Sequence, residues 1–121
     1  MPSEIYPLVQ YIQYLGILLF AGGAIATMAA TDLKIRQRAA YFAAAPGFMM
    51  AWGGGHLATD HLAHELFTPW HVGAFLCLVA SMNLVHWSVA GEDRKSTPVS
   101  AAIAATFVVA VVLATFKPHP F

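Results

Sequence analysis

The sequence predicts an all-α integral membrane protein, an antiparallel four-helix bundle with both termini outside, and three observations carry that prediction. Of its 121 residues 59% are hydrophobic and 10% charged, with a mean hydropathy of +0.64, so bilayer rather than water is the expected solvent. The charges fall in a few short stretches separated by four uncharged segments, at 8–30, 39–57, 70–90 and 99–116. Each has about the 17 to 25 residues that carry a helix across a ~30 Å hydrocarbon core. The apolar runs are continuous instead of alternating, which excludes a closed β-barrel and leaves helices as the way to satisfy the backbone in lipid.

The first span follows Met1 to Glu4, which has no basic segment, and its apolar run is too long for a secretory leader, so it is read as a retained membrane helix. In the second span Pro46 lacks a backbone donor and its ring presses on the preceding turn, which predicts a kink near Phe42 to Pro46. Small residues recur four apart, at Gly22 and Ala26, at Ala43, Gly47, Ala51 and Gly55, and at Ala101 and Ala105. Such residues let helix backbones approach closely in lipid. Trp52, Trp70 and Trp87 stand near span ends, where interfacial aromatics belong. No repeat or low-complexity segment interrupts the chain, and residues 1–121 are expected to form a single transmembrane domain with short connections.

Orientation follows from the loops. TDLKIRQR and GEDRKSTP hold five of the six Lys and Arg residues, and the connection between spans two and three holds none. The positive-inside rule makes both basic loops cytoplasmic and the chain N-out and C-out. The stretch GGGHLATDHLAHELFTPWH, with four of the six histidines, then faces the exterior or periplasm.

Zero net charge and the absence of a basic patch give no support for nucleic-acid binding. A lone Cys77 inside an apolar run excludes an intrachain disulfide and a cysteine-cage metal site. No serine, cysteine or carboxylate stands beside a histidine within a span, so nucleophilic and glycosidase-type chemistry have no support.

Ligand-capable residues are the informative part of this chain. His56 closes the second span and His71 opens the third, at similar depth, which makes them the best-placed pair for haem iron or a transition metal. Three glycines before His56 would let a flat macrocycle or a neighbouring helix approach the backbone. Helices in direct contact are about 8–10 Å apart, so a porphyrin would need diagonal helices or a local opening. The alternative is that both are polar interfacial residues hydrogen-bonded to nearby carbonyls.

Between them, Thr59 could cap a short helix in which Asp60, His61, His64 and Glu65 share a face, a partial site for zinc or copper or else a solvated surface. His86 lies fifteen residues after His71, about 22 Å along a helix, and so belongs to the opposite membrane face. With Asn83 three residues before it, His86 could meet a quinone head group, a haem propionate or another helix. Asp32, Lys34, Arg36 and Arg38 read as a solvated cytoplasmic loop, with contacts to anionic lipid or haem propionates as the sharper option. His119, between prolines in KPHPF, reads as a solvent-exposed residue.

The segments QYLGILLFAGGAIA, AAPGFMMAWGGG and TPWHVGAFLCLVASMNLVHW together resemble a superfamily of small bacterial membrane proteins. It contains the HemJ-type protoporphyrinogen oxidases and the membrane domains of the copper-resistance D family. The resemblance covers the first three spans, and it implies a bacterial inner-membrane helix bundle that binds haem b or copper. Its matching polar positions are His86 and the basic segment through Arg36 and Arg38. Gln13 and Gly73 stand where the oxidase type usually has a histidine and a lysine, so a haem- or metal-binding role is expected instead of porphyrinogen oxidation.

The expectation is therefore a multi-pass bacterial inner-membrane protein that is more binder or electron carrier than enzyme. Its cofactor-binding residues would be His56, His71, His86, Arg36 and Arg38, with His61, His64, Asp60 and Glu65 as a second, metal-binding set. The rival is a non-catalytic accessory subunit of a larger respiratory or photosynthetic complex. A small metal-ion carrier ranks lower, because no span carries a buried carboxylate.

Overall fold

A computed structural model describes residues 5–59 and 68–115, and among them every regular element is helical. Helix α1 runs Tyr6–Ala29, α2 Leu33–Ala39, α3 Ala45–Thr59, α4 Pro69–Trp87 and α5 Thr97–Thr115, with a π-turn, Ala40–Ala44, joining α2 to α3. Three stretches, Pro7–Ala29, Pro69–Trp87 and Thr97–Thr115, are long and apolar enough to cross a membrane. Helix α3 alone, at 15 residues, is shorter.

The starts are set by residues that suit a free helix N-terminus. Proline occupies the first turn of α1 and of α4, where its missing N–H would have had no helical partner. Asp32 caps α2 by accepting a hydrogen bond from the Lys34 amide at 3.1 Å, and the Ser96 hydroxyl accepts one from the Val99 amide at 3.3 Å at the start of α5. At the end of α4 the chain reverses through Gly91, whose φ of 74° suits a residue without a Cβ. Arg94 then reaches back, and its Nη1 donates to the carbonyls of Trp87 at 2.9 Å and Ala90 at 2.6 Å. It thereby satisfies acceptors that the helix end leaves open.

The basic stretch expected as a solvated loop is helical instead. Leu33, Arg36, Gln37, Ala40 and Ala44 recur at helical spacing, and the Arg36 side chain is fully buried. The disturbance expected near Pro46 takes the form of the π-turn, in which the Ala45 amide bonds back to the carbonyl of Ala40. Pro46 cannot donate to Phe42, so the helix rearranges its hydrogen bonds one turn before the ring.

Helix α1 lies along α3 in the opposite chain direction: Gln13 meets Gly54, Gly16 meets Ala51, Phe20 meets Gly47 and Gly23 meets Ala44. A Cβ on Gly54 would lie 2.9 Å from the backbone nitrogen and Cα of Gln13, so bare backbone is what permits this approach. Helices α4 and α5 pair likewise, with Gly73 beside Leu113 and the buried Ser81 hydroxyl donating to the Ile103 carbonyl at 3.1 Å. These two pairs meet in a core of Phe20, Ala24, Ala40, Ala44, Met82, Val85, Val89 and Ile103. Phe20 stacks on Phe107 within it, their centroids 5.4 Å apart. Leu18, Ile25, Phe42 and Leu76 point outward and are exposed, as suits hydrocarbon surroundings.

Candidate functional site at the basic end of the helices

The most developed polar cluster among the described residues sits where α2 and the α4–α5 connection meet. Arg36 donates from Nε to the carbonyl of Thr27 on α1 and from Nη1 to the Asp93 carboxylate, while its Nη2 is buried without a hydrogen-bond partner. Beside it the Gln37 amide donates to the Val89 carbonyl at 3.0 Å. The last turn of α1, helix α2 and the end of α4 are thus tied by polar contacts rather than by packing alone. A buried guanidinium left unpaired would be expensive, and these partners offset that cost. Asp93 responds in turn: the Arg36 hydrogen bond foremost, then the Lys95 amide, holds its carboxyl below the usual carboxylate range.

His86 stands in the last turn of α4, half-buried, with its ring lying on Tyr41 of the π-turn at 5.1 Å between centroids and 16° between planes. The carbonyls of Ala40 and Met82 lie beside the ring. Its Nε2 is buried and makes no hydrogen bond. This differs from the expectation of an interhelical hydrogen bond through that atom. A ring fixed by stacking, with one nitrogen withheld from water and from protein, keeps its capacity to donate, accept or ligate. Asn83 does not join it: exposed, it donates to the carbonyl of Val79 on its own helix at 3.0 Å. Arg38 is exposed in α2, away from the buried position of Arg36.

The other sequence-predicted residues lie at the far end of α4 or outside the described residues. His71 is in the first turn of α4, half-buried, with Nε2 shut from solvent. His56 falls in α3, and its side chain lies outside the described residues, as do Asp60, His61, His64 and Glu65. His71 and His86 occupy opposite ends of one 19-residue helix, so Arg36 and His86 cannot share a ligand sphere with His71. Helices α3 and α4 touch only sparingly, with Trp52 tilted against Phe75 at 5.9 Å. Among the described residues no three His, Cys, Asp or Glu side chains gather as a metal site would require.

Sequence reasoning missed Tyr41, Thr27, Gln37 and Asp93. Only Asp93 left a signal, as an acid in a basic loop facing another basic stretch. Comparison with family models, with curated proteins and with solved structures finds no match.

Proposed function

We propose that this chain is a small integral membrane protein that binds haem b or a transition metal near its outer face and serves as an electron-transfer component. In this reading the helical segment from Leu33 to Thr59 is the second of four spans, the bundle is antiparallel with N-out and C-out termini, and the host membrane is the bacterial inner membrane. The observation that carries it is the pairing of a half-buried His71, its Nε2 withdrawn from water, with the sparse contact between α3 and α4 at that helix. Closely packed helices would leave no width for a porphyrin, and this gap relieves that objection. His56 would supply the facing imidazole, and an iron held there would supply a one-electron couple. Zinc or copper on Asp60, His61, His64 and Glu65 is the lesser form of the same reading. His86 serves a separate polar contact near the inner face, to a quinone head group or a neighbouring helix.

A second reading, an accessory subunit of a larger membrane complex, is favoured by α5, which keeps most of its length uncovered. Visible spectra of the purified protein, oxidised and reduced, decide between them. A b-type spectrum abolished by His56→Ala or His71→Ala is expected. A colourless protein free of metal by elemental analysis would overturn the cofactor reading, and co-isolation with defined partners in mild detergent would then support the accessory one.

A further inference from the structure

An apolar groove of about 420 Å³ runs between α1 and α5. Its walls span Ala21 to Ala29 on one helix and Ser100 to Val108 on the other. Eight residues of helix rise about 12 Å, so the groove covers rather less than half of a ~30 Å hydrocarbon core. That is the depth of one leaflet.

The groove is graded in polarity along its length. Ile103, Ala104 and Phe107 give hydrocarbon walls, and Ser100, at the basic end, is the polar side chain among the lining residues. Its hydroxyl donates to the Met28 sulfur at 3.1 Å, a weak acceptor that a carbonyl oxygen would readily replace. Beyond that end, Lys34 follows Ala29 by five residues and Lys95 precedes Ser100 by five, and both are exposed. The nearby acids are engaged elsewhere: Asp32 caps α2, Asp93 is held by Arg36, and Glu92 lies 3.4 Å from Arg94. The two lysines therefore keep their charge for an outside anion.

We propose that this groove holds an acyl chain of an anionic phospholipid, with its ester carbonyl at Ser100 and its phosphate between Lys34 and Lys95. Cation, hydroxyl and hydrocarbon follow in the order that phosphate, ester and acyl chain follow in the lipid. A partner's transmembrane helix would fill the apolar part and leave the two lysines unmatched. The inference rests on the chain's placement in a bilayer and is independent of the cofactor reading, since no histidine lines the groove.

The test uses the full chain in mild detergent, incubated with vesicles containing equal amounts of phosphatidylglycerol and phosphatidylcholine with identical acyl chains. Retained lipid is then counted by mass spectrometry of the intact complex. The expected result is a roughly ten-fold preference for phosphatidylglycerol, from about 1 kcal/mol per surface lysine less screening. Lys34→Gln combined with Lys95→Gln should bring that preference close to parity. Ala104→Phe, which fills the groove from an exposed position, should remove bound lipid of both kinds while circular dichroism shows unchanged helix. If that variant fails to fold, Val108→Trp on the same wall carries the same expectation. Equal retention of the two lipids by the wild type, unchanged lipid in the groove-filled variant, or a lipid-free dimer would each overturn the proposal.

Discussion

Arg36 and Asp93 are 57 residues apart in sequence and joined in space, the buried guanidinium donating to a carboxylate at the mouth of the α4–α5 connection. The same guanidinium bonds the Thr27 carbonyl, so one side chain fastens three segments of the chain.

Arg36→Ala should destabilise the protein by about 2–4 kcal/mol, chiefly through the lost charge-assisted bond to Thr27 and the packing of the buried stem. The ion pair adds little to that figure, because the Asp93 side chain is 45% exposed and screened by solvent. Arg36→Lys should recover less than half of the loss, since an ammonium cannot copy the two-armed geometry. Unfolding titrations in mixed micelles check both.

Stability should fall in acid through the same pair. The folded carboxyl of Asp93 is held below its unfolded value by Arg36 and then by the Lys95 amide. Its contribution is therefore complete above the ordinary carboxylate range, about pH 4, and is lost as pH falls through that range toward the folded value. Asp93→Asn should flatten this part of the pH–stability profile and leave the profile above pH about 5 parallel to that of the wild type.

Glycine substitutions should separate by position. At Gly47 a Cβ would run into the backbone of Phe20, so Gly47→Ala should cost about 1–3 kcal/mol by forcing α1 and α3 apart. At Gly22 an added Cβ meets nothing within 4 Å, so Gly22→Ala should be neutral or stabilising by up to about 1 kcal/mol. Thermal unfolding of the two variants, side by side, measures the contrast.

Ser81→Ala should cost about 0.5–1.5 kcal/mol, because the buried hydroxyl bonds across to the Ile103 carbonyl of α5. Asn83→Ala, two residues away and bonded only to its own helix, should change stability by less than about 0.5 kcal/mol. Equal losses for the two would show that the α4–α5 hydrogen bond contributes nothing specific.

Much of the helical layout was legible in the sequence, because uncharged runs and flanking charges mark apolar helices directly. The segment 70–90 became Pro69–Trp87 and 99–116 became Thr97–Thr115, with differences at the ends where Pro69, Gly91 and Ser96 set caps. The basic stretch was misread because Arg36 occupies a core position in a helix that also shows Lys34 and Arg38 to solvent. Charge alone argued for a loop. What makes the burial tolerable is Asp93 and a backbone carbonyl, partners that a single sequence does not connect to position 36. His86 was legible as a polar residue near a span end, but its stacking on Tyr41 depends on how the π-turn aims that ring. For His71 the depth was legible and the gap beside α3 was not, since a gap is a property of two helices together.

The π-turn at Ala40–Ala44 also ties the phase of this rod to its length. A π-turn is an α-helix with one residue too many, so removing any one of those five residues would leave a smooth helix that builds well on its own. It would also turn everything beyond by about 100°. Gly47, Ala51 and Gly54 would then swing off α1 while Arg36 stayed at its anchor. A single-codon deletion here is therefore a rotation, and it should harm the assembled helices more than any of the five corresponding alanine or valine substitutions.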